Sequence, residues 1–262
     1  MAIASTSQRR KFITTEPLAK GGEASEQKAW DAVREAFAAR DCIGYWRYPI
    51  FSKVGKSRKE PDILIADAQL GLIVIEIKSV TINQILAISG HCWEFQNFYT
   101  TSSNPYEQAE NQLFALLGYC DREPSLRRKV PGRALVCLPL ITEEQWYESG
   151  FYQLPSCPPI IFQDQLDSLK HGKPTKQSTT NNQQLIPNSL LQQIEQTTPI
   201  IKGCNLRSEQ WKLLQAVISG TPVFRIKRSV SVGAHSYAPL HLGQSTNKQS
   251  RASVLTEVRQ RL

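Results

Sequence analysis

Three ionisable residues sit where an apolar stretch should exclude them. Residues 61–79 read PDILIADAQLGLIVIEIKS, with Asp62 near the start and Glu76 and Lys78 flanking Ile77 at the end. Runs of this composition are buried, and buried charges are costly unless paired or bound to a metal. Divided at DAQLG, the stretch predicts a hairpin, with strands over 62–66 and 72–78 joined by a Gly-containing turn. Strand residues two apart share a face, so Glu76 and Lys78 point one way and Ile73, Ile75 and Ile77 the other. The hairpin folds Asp62 back towards Glu76, so two carboxylates and an ammonium meet at one end of a sheet. Carboxylates are the hard oxygen ligands that Mg2+ prefers, one or two of them with waters and phosphate oxygens completing the shell. Such an ion lowers the pKa of a bound water and neutralises charge on a phosphate, and an adjacent lysine positions that water or stabilises the transition state. The arrangement suits metal-assisted phosphodiester hydrolysis. Taken bare, the triplet also fits a surface salt bridge on an amphipathic hairpin.

The neighbouring elements must hold that hairpin in place. Trp30, Val33 and Phe37 recur at helical spacing in SEQKAWDAVREAFAAR, 25–40, and predict a helix with one apolar face. YWRYPIF, 45–51, reads as an aromatic strand. Tyr45, Trp46 and Tyr48 suit either base stacking or a core. A basic loop, 52–60, follows, in which Lys53, Lys56, Arg58 and Lys59 either grip a phosphate backbone or are simply solvated. QILAISGHCWEF predicts a second hairpin turning at Ser89-Gly90. NPYEQAENQLFALLGYC, 104–120, predicts a helix with Asn104 as N-cap, Pro105 at the first position and Leu113, Leu116, Leu117 and Cys120 as its buried stripe. Strands over 134–138 and 159–162 and short helices opened by Thr142 and near Asp164–Lys170 complete the pattern.

Read together, these segments resemble the nuclease-related domain (NERD) of the PD-(D/E)xK nuclease superfamily. GGEASEQKAW (21–30), YPIF, PDILI, GLIVIEIKS, Trp93 and NPYEQAENQ are similar to that family in the same order, over roughly residues 20–170. The resemblance implies a restriction-endonuclease-like α/β core, a central mixed β-sheet flanked by helices. It implies a metal pair in Asp62 and Glu76, with the backbone carbonyl of Ile77 as a further ligand, and a catalytic lysine in Lys78. Glu23 stands for the family's acid on the first helix, where an acid is equally a favourable partner for the helix dipole. Gln108 stands for a glutamine that orients the lysine or a water, and Gln112, one turn further on the same face, is the second choice. The cofactor expected is Mg2+ or Mn2+, and the partner is DNA.

Composition bounds these readings. The 262 residues carry a net charge of +8, but the segment from Arg225 to Leu262 supplies six of those charges, so the rest is only mildly basic. Six cysteines at 42, 92, 120, 137, 157 and 204 form no CxxC pair, which suits reduced thiols better than a disulfide framework or zinc site. His91, His171, His235 and His241 show no ligand spacing. No stretch reaches membrane-spanning length, and the N-terminus has no signal-peptide core, so the expectation is a soluble, cytoplasmic protein without a membrane partner.

The expected organisation is a flexible N-terminus over 1–14, a NERD-like domain over 15–172, a polar linker with a short helix over 173–203, an amphipathic helix over 204–220 and a basic, disordered tail over 221–262. NLRSEQWKLLQAV, 205–217, resembles the glutamine motif that opens superfamily one DNA helicases, with Gln210 in the place of the adenine-reading residue. No GxxxxGK[ST] follows, so no nucleotide cofactor is expected. The segment reads either as a remnant of a truncated helicase or as one amphipathic helix docked on the domain. The functional expectation is a metal-dependent DNA nuclease or DNA-processing protein. The alternatives are a non-catalytic nucleic-acid-binding module and an accessory partner of a helicase acting in trans.

Overall fold

Alternation along 61–79 places a two-faced hairpin at the centre of a six-stranded sheet. A computed structural model of the chain describes residues 11–15, 23–51, 58–90, 92–154, 158–171 and 189–220. A short edge strand, β1 (Phe12–Thr14), is followed by helix α1 (Glu23–Ala36) and strands β2 (Cys42–Trp46), β3 (Ile50–Phe51) and β4 (Arg58–Lys59). The hairpin is β5 (Ile63–Asp67) and β6 (Gly71–Ile77). A side sheet follows, β7 (Ile85–Ser89), β8 (Cys92–Phe95) and β9 (Ser102–Ser103). Then come helix α2 (Pro105–Cys120), strand β10 (Gly132–Leu138), helix α3 (Glu143–Glu148), strand β11 (Ile160–Phe162) and helix α4 (Gln163–His171). Helices α5 (Leu190–Gln196) and α6 (Ser208–Ile218) end the described chain. By contacts the chain divides into Met1–Val223 and Phe224–Leu262, and every described residue belongs to the first unit.

The main sheet runs β1-β2-β5-β6-β10-β11 and is mixed. β5 pairs antiparallel with β2 and β6, whereas β6, β10 and β11 run parallel. A parallel return from β6 to β10 needs a crossover, which the side sheet and α2 supply. Both faces are covered by helices, as the resemblance implied. Ile63, Ile65, Ile73, Ile75 and Ile77 pack against Trp30, Val33 and Phe37 of the α1 region and Leu190 and Ile194 of α5. On the opposite face Leu64, Leu72 and Val74 meet Leu113 and Leu116 of α2 and Trp211, Leu214 and Ile218 of α6. Tyr45 and Trp46 are buried and belong to these cores, which settles their role as packing. A third cluster under the side sheet centres on Trp93, Phe95, Trp146 and Phe162.

Local chemistry ends these elements where they end. Asn104 accepts the Glu107 N–H at 2.9 Å and its amide donates to the Glu107 carboxylate at 2.9 Å, closing the N-terminus of α2. Thr142 and Gln145 form a reciprocal capping box on α3. The β5–β6 turn is held by Asp67, whose Oδ1 accepts from Gln69 N at 2.9 Å and Leu70 N at 2.8 Å. Gly71 follows with φ +76°, and a Cβ there would lie 2.2 Å from the Pro131 carbonyl oxygen, so no other residue fits.

Helices α5 and α6 are tied to the sheet by polar contacts as well as packing. Arg40 forks onto Asp67 (2.7 and 2.8 Å) and reaches Glu195 of α5 at 2.7 Å. Arg133 donates to the carbonyls of Leu70 (2.7 Å) and Thr197 (3.0 Å). Trp211 Nε1 donates to Asp41 at 2.7 Å, and the Tyr48 hydroxyl donates to the Ile218 carbonyl at 2.8 Å. The Gln210 amide donates to Ser125 O at 2.9 Å while its oxygen accepts from Arg207 N at 3.0 Å. Both ends of that amide are engaged within the fold, and α6 packs on the sheet through Trp211, Leu214 and Ile218.

Two stability predictions follow from these contacts. Burial alone would raise the pKa of Asp67, but hydrogen bonds from Arg40, Leu70 N and Gln69 N outweigh it and hold the carboxyl below its ordinary range. Its contribution is therefore complete above the unfolded pKa of about 4 and is lost as pH falls through the lower folded value. Asp67→Asn should cost about 3 kcal/mol at neutral pH, as for a broken buried ion pair, and the deficit should shrink below about pH 4 in urea titrations. A chain ending at residue 188 should lose its cooperative thermal transition, because it uncovers one face at Leu190 and Ile194 and the other at Trp211 and Leu214. An unchanged melting midpoint would show both helices to be accessory.

Candidate active site

The hairpin register builds the site. Ile63 pairs with Ile75, and continuing that register sets Asp62 opposite Glu76 at the open end of the two strands. The Ile77 N–H donates to Asp62 Oδ2 at 2.7 Å, so the carboxylate is held by the backbone of the partner strand. Lys78 follows the last strand residue and donates to Glu76 Oε1 at 2.9 Å, with both side chains less than a tenth exposed. The surface salt bridge considered for this triplet is thus a buried one.

Helix α2 closes the site from above. Gln112, buried on its lower face, donates through Nε2 to Glu76 Oε2 and to the Glu60 carbonyl, both at 3.2 Å. Its Oε1 is buried with no hydrogen-bond partner, an orphaned acceptor beside the carboxylates. Gln108, expected to orient the lysine, is exposed one turn earlier. The helix brings Gln112 to Glu76 instead. The reason is rotational, since Gln112 lies beside Leu113 and Leu116 on the face that meets the sheet.

Helix α1 closes it from below. The Glu23 side chain lies outside the described residues, although Glu23 opens the helix. One turn on, Glu26 is close enough to Asp62 to disfavour its ionisation and pairs with Arg47 at 3.3 Å. Ser25 and Ser79 share a hydrogen bond of 2.7 Å that ties this helix end to the chain beyond Lys78. Arg47 was not singled out from the sequence, and neither was Glu26. Arg47 has φ +53°, a left-handed value costly for a side chain of its size. Its N–H donates to the Asp62 carbonyl at 2.9 Å, and its guanidinium lies 5.7 Å over the Trp46 ring. The sequence signal available for Glu26 was its position one turn after Glu23. None exists for Arg47, whose conformation is imposed by β2 and β5.

The basic loop falls largely out of view. Lys53 and Lys56 lie outside the described residues, as do His91, His235 and His241. Arg58 and Lys59 form strand β4 against Ile50–Phe51, and only their backbone is described.

The electrostatics are those of a crowded acid pair. Burial raises the pKa of Asp62, and the charges of Glu76 and Glu26 raise it further, against the opposing pull of the Ile77 N–H and Lys78. Burial would lower that of Lys78, but the Glu76 carboxylate at hydrogen-bond distance reverses the balance, so the ammonium stays charged. On the α1 side Cys137 lies opposite Ile77 across β6 and β10, where burial pushes its thiol far up and keeps it neutral. Among the described residues no group of three or more His, Cys, Asp or Glu side chains assembles a metal cage. The donors are two carboxylates and the Ile77 backbone carbonyl, all oxygen. That set fits a divalent cation such as Mg2+ that completes its shell with water and substrate.

Residues 21–139 match the model of the nuclease-related domain family, a span that contains Asp62, Glu76, Lys78 and Gln112. No curated protein and no solved structure matches the chain.

The crowding is itself testable. Because the folded pKa of Asp62 is raised, the folded state holds a proton that the unfolded state releases, and stability falls as pH rises from about 4 towards the folded value. Asp62→Asn removes the repulsion while keeping an acceptor for Ile77 N–H. Without divalent metal it should melt above the parent by about 2–4 °C for each kcal/mol relieved, with the gap widening from acid to neutral pH. A lower midpoint at neutral pH would show that the pair is not strained.

Proposed function

Since residues 21–139 of this chain match the nuclease-related domain family, we propose that the protein is a metal-dependent DNA nuclease whose site is the open end of the β5–β6 hairpin. One observation carries this reading. The backbone register forces Asp62 against Glu76, beside a charged and buried Lys78, at a cost in stability that folding alone does not require. Asp62, Glu76 and the Ile77 carbonyl would hold Mg2+ or Mn2+. Bound there, the ion supplies Lewis-acid charge and a water of lowered pKa.

The protein groups have distinct parts. Lys78 carries a full positive charge to the edge of the acid pair, where it stabilises negative charge gathering on a phosphate. Gln112 fixes Glu76 through Nε2 and leaves Oε1 as an acceptor for a water proton. Glu26 and Arg47 form the lower rim, and Arg47 is the second cation within reach of an anionic strand. The basic residues Lys53, Lys56, Arg58 and Lys59 precede Asp62 in the chain and would offset the repulsion between acids and a phosphate backbone.

The test is cleavage of single-stranded, duplex and flap DNA by the full chain in Mg2+ or Mn2+. Asp62→Asn should reduce the rate by about 10²-fold or more, the scale for losing one transition-state stabilising group, while remaining folded. Lys78→Ala should also lose activity, but it leaves Glu76 buried without its cation, so its melting midpoint must be measured beside it. Folded protein that binds DNA and cleaves none of the three substrates would make the chain a non-catalytic nucleic-acid-binding module.

A further inference from the structure

The end of the sheet opposite the acid pair gathers positive charge. Gly132 pairs with Leu72, so the loop entering β10 lies at the turn end of the hairpin, about 20 Å from the site along the seven residues of β6. Two loops are fused there. Residues 121–131 and 202–212 are joined by Cys204 N, which donates to Lys129 O at 2.9 Å, and by Gln210 Nε2, which donates to Ser125 O at 2.9 Å. Gly203, with φ +50°, packs so closely that a Cβ would lie 2.5 Å from Pro131 N. The first loop holds Arg122, Arg127, Arg128 and Lys129 against two acids, and the second holds Lys202, Arg207 and Lys212 against one. Their net of +4 and the six charges of residues 225–262 together exceed the +8 of the chain, so the remainder carries −2.

That charge is not spent within the fold. All of these cations but Lys129 are exposed, and among the described residues none of them is in an ion pair. The acids at this end of the sheet are engaged elsewhere, Asp67 and Glu195 by Arg40 and Asp41 by Trp211. Arg128 takes φ +56°, a left-handed value costly for a long side chain, and Asp121 Oδ1 holds it there by accepting from its N–H at 2.9 Å. The negative end of α2 accounts for a cation within its last turn, not for seven spread over two loops. No large exposed hydrophobic residue of the described chain lies on either loop, so the surface lacks the apolar anchors of a protein interface or a membrane-inserting face. We infer that the two loops form a sequence-independent surface for the phosphate backbone of nucleic acid, separate from the acid pair. Like charges fixed side by side repel, and a row of phosphates relieves that repulsion while releasing its own condensed counterions. The inference takes nucleic acid as the partner from the nuclease reading, and it adds a holding surface remote from the site of cleavage.

The experiment is the salt dependence of binding to two DNA duplexes of unrelated sequence, by the full chain without divalent metal so that cleavage plays no part. Arg127→Gln with Arg128→Asn takes two charges from one loop, and Lys202→Gln with Lys212→Gln takes two from the other. Asparagine tolerates the left-handed φ at position 128, so the melting midpoint should hold. Each pair should reduce the magnitude of the slope of log K against log salt by about two, the scale of two lost phosphate contacts, and should weaken both sequences equally. Arg34→Gln removes a cation already paired with Asp31 and should leave the slope unchanged. The basic segment 225–262 is the same in every variant and contributes equally. An unchanged slope in either pair, a fall matched charge for charge by Arg34→Gln, weakening confined to one sequence, or a parent that binds neither duplex overturns the surface. Lost binding to phosphatidylserine vesicles with duplex binding intact also overturns it and assigns the loops to a membrane. A chain that cleaves DNA while both pairs keep the parent slope retains the nuclease reading and loses the surface. One that cleaves nothing yet shows both slope changes does the reverse.

Discussion

The register of β5 against β6 is the constraint on which the rest of the structure depends. With Ile63 opposite Ile75, alternate residues fall cleanly on two faces, and both faces find a helical layer. A slip of one residue would turn every isoleucine to the wrong face and carry Asp62 away from Glu76. The hairpin is pinned at its two ends by different chemistry. At the turn, Asp67 caps the backbone and receives Arg40, while Gly71 lets the Pro131 carbonyl approach. At the open end the Ile77 N–H donates across the strands to Asp62 and so shapes the site. A rigid turn thus sets the position of acids some five residues away along each strand.

The site lies where the sheet changes character. β6 is antiparallel to β5 on one side and parallel to β10 on the other, so the chain leaving Ile77 must travel out through the side sheet and return along α2 before β10 begins. That path carries Gln112 to Glu76. It also explains why polar groups from distant parts of the chain converge at one place. The crossover leaves at Lys78, packs its side sheet on the third core, and returns along α2 on its own core contacts.

Charge placement opposes stability at that end of the hairpin and favours it at the turn. Asp67 and Arg40 form a bidentate pair whose carboxyl is held below its ordinary pKa, so that pair favours folding. Asp62 is pushed the other way by burial and by two further acids, and it opposes folding unless a cation or a proton joins it. Arg47, with its strained φ, bonds the Asp62 carbonyl, and Gln112, with its orphaned Oε1, bonds the Glu76 carboxylate, so both border this unfavourable charge. Sites with such concentrated cost are where functional demands override packing.

Much of this was legible along the chain. Period-two alternation over 61–79 located the hairpin and its two faces, and the caps at Asn104 and Thr142 located two helices, because these signals depend only on near neighbours. The convergence of Asp62, Glu76 and Lys78 at one end of the hairpin followed from their spacing along the two strands. Other features depended on contacts that no local pattern encodes. Whether Gln108 or Gln112 reaches Glu76 is set by the rotation of α2 on the sheet, and Glu26 meets Arg47 only because α1 crosses beneath β2. Leu190–Gln196 fell within a stretch read as a polar linker, and Ser208–Ile218 read either as a helicase remnant or as a docked helix, yet each supplies part of a core face, since a sheet with an uncovered apolar side would be exposed to water. Sequence by itself determined which residues carry the charge and which carry the core. Tertiary structure alone decided which charges meet, because long-range packing sets the distances on which their interaction depends.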